Sequence, residues 1–259
     1  MLLLTGCGSN KDRVVIYSSM EEERNQDLKK MVKEEFPDMD VVVQYMATGN
    51  CAAKIKNEGT KVEADIVLDL ETAHMKDVKD NFADLSDFDT SIYLDGVNND
   101  SNYLTWTKYT MNLIIDNKYF KKLKENMREY TTSGSGPTNL LKQGEIAIAM
   151  GMTSQGVHAI NEGYDFKIVS LDTGSPYNTT SFGIIKGKET NENVRKVFQW
   201  LINDFGKYDK EHYLPDIILK DQDNKVENYP TDLVDADMTG IDSIETKDKL
   251  TEKWGEVNG

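Results

Sequence analysis

Short polar side chains follow three predicted strands, at the point where each strand gives way to a helix. They are Ser18 with Ser19, the triplet Thr48-Gly49-Asn50, and Glu71 with the Asp69 that precedes it. Hydroxyl, amide and backbone N–H groups at a helix N-terminus favour a bound anionic oxygen, by about 0.3 to 1 kcal/mol per helix end. The same residue types cap helices when nothing is bound. Because three such loops occur in succession, the pattern favours a binding site for a polar or anionic ligand over a set of plain caps.

A second group of short polar residues lies in the middle of the chain. The stretch TTSGSGPTN, residues 131–139, places Ser133, Gly134 and Ser135 before Pro137, which suits the first turn of a helix. A flexible linker has a similar Gly-Ser composition. Because Pro-Thr-Asn and an apolar helical pattern follow at once, the stretch is interpreted as a ligand loop.

Alternating strand and helix patterns position the first group. Strands are predicted at Val14 to Tyr17, Val41 to Tyr45 and Ala64 to Leu70, and a helical pattern follows each of them. Ser18 and Ser19 are candidate N-caps of the first helix. Three strand-loop-helix units in succession predict a parallel sheet flanked by helices. The loops after the strand C-termini line the ligand crevice of such a sheet, so the three polar loops are expected there.

The remainder of the chain continues the alternation. Tyr109 to Asp116 is predicted to be a strand, and Lys118 to Tyr130 a helix. Glu145 to Met150 alternates as a strand does and leads into a polar segment that contains Thr153. Val194 to Phe205 has the apolar spacing of an amphipathic helix. These patterns place the chain in the α/β class.

Composition narrows the classes of function. The 259 residues include 45 acidic and 30 basic side chains, for a formal charge of −15, which argues against nucleic acid as a partner. The length suits one domain or two lobes. Cys7 and Cys51 are the two cysteines, too few for a disulfide framework. Cys51 is expected to be a small packed residue.

The N-terminal residues MLLLTGC carry a possible anchoring signal. The leucine run is too short to cross a bilayer, which takes about 20 apolar residues. L-T-G-C resembles the lipobox of bacterial lipoproteins, which implies a lipid on Cys7 that holds the protein at a membrane surface. Residues 1–10 are then a truncated signal and tether. A disordered stub with a chance cysteine is the alternative.

Several blocks of sequence together resemble one protein family, the solute-binding lipoproteins of bacterial ABC importers. The similarity extends from Arg13 to Trp254, and the nearest branch is the type II periplasmic-binding-protein group that includes ferric-iron and phosphonate binders. The resemblance implies two α/β lobes with mixed sheets flanked by helices and a solute held between them. It also implies two crossing strands, Tyr109 to Asp116 outward and Ser175 to Ile185 back. The blocks are VVIYSSMEEE, the TGN loop, EADIVLDLE, TSGSGPTNLLKQGEIAIAMGMTSQG and GSPYNTTSFGIIKG.

The resemblance also implies lobe boundaries. Lobe 1 would comprise residues 11–112 and 182–259, and lobe 2 residues 113–181. Family members have a longer second lobe, and this chain passes from Asp116 to Tyr130 with only a lysine-rich helix. Roughly fifty residues would be absent there, well beyond ordinary loop variation. The second lobe is therefore predicted to be shortened.

By this resemblance the chain is an extracytoplasmic, monomeric binding protein without a cofactor. It would capture a small polar or anionic solute and deliver it to an ABC permease, with Tyr177 as an aromatic wall or donor. An amino group on the solute could be met by Asp69 or Glu71, which suggests an aminophosphonate-like compound. The residues predicted to contact the solute are Ser18, Ser19, Thr48, Gly49, Asn50, Glu71, Ser133, Gly134, Ser135, Thr153, Tyr177 and Asn178.

Three alternatives remain open. Ferric-iron binders of this group supply paired adjacent tyrosines, whereas Asn178 follows Tyr177 here, so the oxygen ligands for iron would be incomplete. A surface lipoprotein without a transport role is a second alternative. An enzyme such as a hydrolase is the least favoured, because His74, His158 and His212 are isolated in the sequence. The chain also lacks the common metalloprotease, P-loop, dinucleotide and nucleophile-elbow motifs.

Overall fold

The computed structural model describes residues 13–97, 99–116 and 134–240, together with positions 245, 246, 248, 249 and 252. Cys7, Ser133 and the predicted helix Lys118 to Tyr130 lie outside the described residues. The segment where the second lobe was predicted to be short lies there too. The described residues fall into two compact units. Unit 1 is drawn from Met1–Trp106 and Thr180–Lys207, and unit 2 from Thr107–Thr179 and Tyr208–Gly259.

A mixed sheet forms the centre of unit 1. Strand β1 pairs in parallel with β2 on one side and with β3 on the other, which confirms the predicted parallel arrangement. Strand β7 runs antiparallel to β3. The elements are β1 (Arg13–Ser18), α1 (Glu22–Glu35), β2 (Asp40–Tyr45), α2 (Thr48–Glu58), β3 (Ile66–Glu71), α3 (Thr72–Val78) and β7 (Tyr177–Ile184).

Apolar side chains explain this arrangement. Strand β1 is buried from Val14 to Ser18, and α2 packs Cys51 and Ile55 into the same core as Val15 and Tyr17. Burial raises the pKa of the Cys51 thiol to about 12, so Cys51 is a packed, inert residue, as predicted. Helix α2 ends at Gly59, whose φ of 59° is a conformation that glycine adopts without strain.

The C-terminal part of unit 1 is rich in aromatic residues. Helix α6 (Glu192–Trp200) is capped by the Asn191 side chain and continues into a π-helix, Leu201–Phe205. The sequence predicted one regular helix over this stretch. Trp106 packs edge-on against Phe182 at 5.0 Å between ring centroids and stacks on Phe205 at 6.0 Å.

Antiparallel strands form unit 2. Residues Leu113 to Ile115 of β4 pair with both β5 and β6, so β4 lies between them. Strand β4 begins in unit 1 and continues from Thr107 into unit 2. The elements are β4 (Leu104–Asp116), α4 (Gly136–Lys142), β5 (Ile148–Met152), α5 (Thr153–Asn161), β6 (Phe166–Val169) and α7 (Gly206–His212).

The chain passes between the units three times, after Trp106, Thr179 and Lys207, whereas the resemblance implied two crossings. The sequence-based boundaries placed 182–259 in lobe 1, but the contacts group Tyr208–Gly259 with unit 2. Hydrogen bonds account for this difference. The Thr110 amide donates to Asp216 Oδ2 at 2.7 Å, and the Ser175 amide donates to the Val234 carbonyl at 2.7 Å.

No helix in the described part of the chain is long and apolar enough to cross a membrane.

Candidate functional site

The carboxyl ends of β1, β2 and β3 lie side by side in unit 1. The Met46 amide donates to the Ser18 carbonyl at 2.9 Å, and the Ser19 amide donates to the Leu68 carbonyl at 3.0 Å. The Thr48 hydroxyl accepts a hydrogen bond from the Glu71 amide at 3.0 Å. The three polar loops predicted from the sequence are therefore brought together at one edge of the sheet.

Ser18 and Ser19 do not cap a helix, so that prediction was wrong. Helix α1 begins at Glu22, and its N-cap residue Glu21 makes no side-chain capping bond. Ser18 is fully buried, and its hydroxyl accepts from the Met20 amide at 3.3 Å. The half-buried Ser19 donates its hydroxyl to the Met46 carbonyl at 2.9 Å. Both side chains hold the loop after β1 in place.

The N-terminus of α2 is an accessible polar feature of this edge. Thr48, Gly49 and Asn50 form its first turn, and the N-cap residue Ala47 contributes no side-chain bond. Gly49 and Asn50 are exposed, and a Cβ placed on Gly49 would meet no atom within 4 Å. The first turn of α2 contains no acidic residue, so its exposed N–H groups suit an anionic oxygen.

Glu71 lies beside these loops at the end of β3. It is half-buried, and one of its carboxylate oxygens lies 3.7 Å from Nε2 of His74. Next to it, the buried hydroxyls of Thr72 and Ser181 share a hydrogen bond of 2.7 Å. Thr72 and Ser181 thus join β7 to the start of α3, beside the Glu71 carboxylate.

Asp69 has a structural role that the sequence did not reveal. It is buried, its φ is 62°, and the register of β3 with β7 shifts between Val67 and Leu70. Its Oδ2 accepts from Arg24 at 3.0 Å, and its Oδ1 accepts from the Thr180 hydroxyl. Both carboxylate oxygens of Asp69 are thus engaged within the fold, and Glu71 is the other residue suggested for an amino group of the solute. Arg24 was missed because a single arginine in a polar helix gives no signal of burial.

In unit 2, Gly134 and Ser135 precede α4, and Pro137 occupies its first turn as predicted. Gly134 is exposed and Ser135 is half-buried. A Cβ on Gly134 would lie 2.9 Å from the terminal methyl of Met152, so this loop contacts the end of β5. The two predicted ligand residues of the loop are accessible on the surface of unit 2.

Thr153 is fully buried at the start of α5 and belongs to a polar network. Its hydroxyl donates to the Thr110 carbonyl at 3.0 Å and accepts from Asn112 Nδ2 at 2.9 Å. Asn112 Oδ1 in turn accepts from the Ser175 hydroxyl at 2.7 Å. Every member of the network is buried, so the Thr153 hydroxyl joins β4 to α5.

Tyr177 and Asn178 lie at the start of β7 and are half-buried. The Asn178 carbonyl oxygen Oδ1 accepts from the Thr179 amide at 2.8 Å. Lys108 Nζ lies 5.2 Å from the centroid of the Tyr177 ring and 2.6 Å from Asp235 Oδ2. Lys108 could not be singled out from the sequence, because its partner Asp235 is 127 residues away.

The buried carboxyl of Asp216 interacts electrostatically with Lys108. Burial raises the pKa of Asp216, although the Thr110 amide and the positive charge of Lys108 oppose the effect. Burial and the negative charge of Asp216 also raise the pKa of Tyr229.

Among the described residues no group of three or more His, Cys, Asp or Glu side chains could hold a metal ion.

No protein-family model and no curated protein matches the chain in sequence. Solved structures do match it. The periplasmic binding protein AfuA from Actinobacillus pleuropneumoniae, with exogenous fructose-6-phosphate bound, has a TM-score of 0.71 at 15% identity, covering 94% of this chain and 98% of that chain. The chain has the periplasmic-binding-protein fold. Iron-bound HitA from Pseudomonas aeruginosa shares this fold with a TM-score of 0.69 at 11% identity, covering 92% of this chain and 97% of HitA. A periplasmic thiamin-binding protein matches with a TM-score of 0.63 at 12% identity, covering 96% of this chain and 95% of that chain.

Proposed function

We propose that this protein is the solute-binding component of a bacterial ABC importer. It captures a small polar or anionic solute outside the cytoplasm and delivers it to a membrane permease, without chemistry on the solute. The observation that carries this proposal is the likeness of more than nine-tenths of the chain to periplasmic binding proteins. The ligands of those proteins are fructose-6-phosphate, iron and thiamin, which are all small polar or charged species.

The accessible polar groups divide into two sets of solute contacts. In unit 1 the exposed first turn of α2 would bind an anionic oxygen through backbone N–H groups, and Glu71 would accept a hydrogen bond from the solute. In unit 2 the Ser135 hydroxyl and the Tyr177 ring would supply a donor and an apolar wall. The proposed contacts are Ser19, Thr48, Gly49, Asn50, Glu71, Gly134, Ser135, Tyr177 and Asn178.

The proposal includes a membrane anchor. A lipid on Cys7 would hold the protein near its permease, and five residues separate Cys7 from the first residue of β1. That tether spans at most about 20 Å when extended, so the binding protein would stay close to the membrane. Mass spectrometry of the protein from a bacterial envelope should find a diacylglycerol adduct on Cys7.

Iron is the second candidate cargo, because iron-bound HitA and a ferric-iron-binding protein from Mannheimia haemolytica share the fold. The described part of the chain provides no cluster of three acidic, histidine or cysteine ligands, and a ferric ion takes several anionic oxygens. An organic oxyanion therefore fits the accessible groups better. Ferric citrate belongs in the binding test so that the two cargoes are compared directly.

Thermal melting with a panel of solutes tests the function. The panel comprises sugar phosphates, phosphonates, phosphate, thiamin and ferric citrate. A solute present at 100 times its dissociation constant should add about 2.7 kcal/mol of stability and raise the melting midpoint. A cooperative melt that no member of the panel, and no wider library of small metabolites, shifts would contradict the proposal.

A pair of charge variants tests whether the α2 N-terminus takes part. Asn50→Asp adds a negative charge to the first turn of α2 and should weaken binding of an anionic solute about tenfold. Asn57→Asp adds the same charge near the other end of this helix and serves as the matched control. Equal affinity in both variants would remove the α2 N-terminus from the site.

Ser135→Trp tests whether the unit 2 loop contacts the solute. This variant should abolish solute binding while its thermal melt stays cooperative.

A further inference from the structure

Lys108 and Asp235 form an ion pair on the surface of unit 2, beside Tyr177. Lys108 Nζ lies 2.6 Å from Asp235 Oδ2, and the two side chains are 19% and 45% exposed. The same ammonium group lies 5.2 Å from the centroid of the Tyr177 ring. A cation, a carboxylate and an aromatic ring thus stand next to one another where solvent reaches them.

The fold holds Asp235 in this position. The Ser175 amide donates to the Val234 carbonyl at 2.7 Å, and the Ala236 amide donates to the Ser175 carbonyl at 3.0 Å. Gly174 has a φ of 94°, and a Cβ there would lie 2.7 Å from the backbone of Ala236 and of Asp235. Only glycine at position 174 lets the two segments approach so closely, so the ion pair is fixed by backbone contacts on both sides of Asp235.

An ion pair of this kind has unused hydrogen-bonding capacity. The lysine ammonium has three donors, and the aspartate carboxylate has about four acceptor sites, so one mutual bond leaves most of them available. Backbone contacts hold Asp235 in place, and the ion pair itself, which solvent reaches, adds little to folding stability. Lys108 can donate to an oxyanion while Asp235 accepts from an ammonium group.

We propose that Lys108 and Asp235 recognise a zwitterionic solute, one that carries an oxyanion and an ammonium group a few bonds apart. Lys108 binds the oxyanion, Asp235 binds the ammonium group, and Tyr177 covers the carbon atoms that join them. This inference rests on the proposed solute-binding function and narrows its solute class. It also gives the amino-group contact to Asp235, since the Asp69 carboxylate binds Arg24 and Thr180.

Unit 2 contains a matched control with the same local chemistry. Lys142 pairs with Glu162, and its Nζ lies 5.2 Å from the centroid of the Tyr164 ring. This second ion pair joins α4 to the end of α5, remote in sequence from β4 and β7. Substitutions of Lys142 and Glu162 remove the same kinds of charge and cation–π contact as substitutions of Lys108 and Asp235, and they leave the residues of the proposed site unchanged.

Isothermal titration calorimetry on the full chain tests the proposal with three probes. 2-Aminoethylphosphonate carries both groups, ethylphosphonate carries only the oxyanion, and ethylamine carries only the ammonium group. The wild-type protein should bind the zwitterion at least ten times more tightly than either of the others. Lys108→Met and Asp235→Asn should each weaken zwitterion binding about tenfold or more. Asp235→Asn should in addition remove the preference over ethylphosphonate. Lys142→Met and Glu162→Gln should change none of these affinities.

Two results would overturn the inference while the proposed function stands. One is equal affinity for 2-aminoethylphosphonate and ethylphosphonate in the wild type. The other is wild-type affinity in both Lys108→Met and Asp235→Asn with melting midpoints unchanged. A protein that binds a sugar phosphate, thiamin or ferric citrate but not the zwitterion would also reject the inference alone. A protein that binds neither these probes nor any solute of the wider panel and library would reject the proposed function and the inference together.

Discussion

Asp69→Asn should destabilise unit 1, because it removes the charge that faces a buried arginine. Arg24 is 4% exposed, and its Nη1 lies 3.0 Å from Asp69 Oδ2 and 2.7 Å from Glu21 Oε2. Asparagine has nearly the same shape as aspartate and tolerates the φ of 62° found at this position, so the main change is electrostatic. The variant therefore isolates the charge of residue 69.

The magnitude follows from the geometry. Removing one partner of a buried ion pair costs about 3 to 5 kcal/mol. Arg24 keeps its contact with Glu21, whose side chain is 49% exposed, so the lower end of that range, about 3 kcal/mol, applies. Asp69→Ala should cost about 2 kcal/mol more, because alanine is strained at positive φ and leaves the Thr180 hydroxyl without its acceptor.

Denaturant unfolding followed by tryptophan fluorescence measures this effect. Trp106 and Trp200 both lie in unit 1, so their emission reports on that unit. The reference substitution is Asp77→Asn, which breaks the pair with Lys56 at 2.8 Å, where the side chains are 45% and 65% exposed. It should cost less than about 1 kcal/mol. A loss under about 1 kcal/mol for Asp69→Asn, no larger than the reference, would refute the reasoning.

Two further predictions concern packing and pH. Gly206→Ala should destabilise the protein by about 1 to 3 kcal/mol, because its Cβ would lie 2.5 Å from the Leu201 carbonyl in the π-helix. Gly49→Ala, with no atom within 4 Å of its Cβ, should cause no loss, and equal unfolding midpoints for the two would contradict this account. Burial raises the pKa of the Asp216 carboxyl from 3.8, which means that the fold favours its protonated form. The stabilisation from this carboxyl is therefore complete below pH 3.8 and is lost as pH rises through the raised pKa. The unfolding free energy of the wild type minus that of Asp216→Asn, which keeps an acceptor for Thr110, should therefore fall as pH rises above about 4, and a difference that rises with pH would be evidence against this sign.

Local patterns in the sequence were enough to predict much of unit 1. The three strands of the parallel sheet are largely apolar runs, and a helical pattern follows each, so their parallel arrangement could be inferred. Gly59 ends α2 and Pro137 begins α4 through their own backbone preferences, and Pro137 lies where it was predicted. These features depend on residues close together in the chain, which explains why the sequence alone reveals them.

Contacts between distant residues could not be predicted in this way. Asp69 and Arg24 are 45 residues apart, and Lys108 and Asp235 are 127 residues apart. Nothing in either local sequence indicates a charged partner. Thr153 looked like a ligand residue because it follows a strand, yet the side chain of Asn112, 41 positions earlier, takes part in burying its hydroxyl.

The same distinction decides which polar residues of unit 1 could govern solute affinity. Ser18, Thr72 and Ser181 are buried, and their hydroxyls take part in hydrogen bonds that hold neighbouring strands and loops together. Their contribution is to the shape of the edge, because a buried hydroxyl that leaves its partner loses a hydrogen bond in the fold. The groups of this edge that stay accessible are the backbone N–H groups at Gly49 and Asn50 and the half-buried side chains of Ser19, Thr48 and Glu71. Substitutions at these accessible positions leave the buried hydrogen bonds intact. Under the proposed function, selection among solutes would therefore come from accessible side chains, such as Glu71 in unit 1 and Lys108 and Asp235 in unit 2.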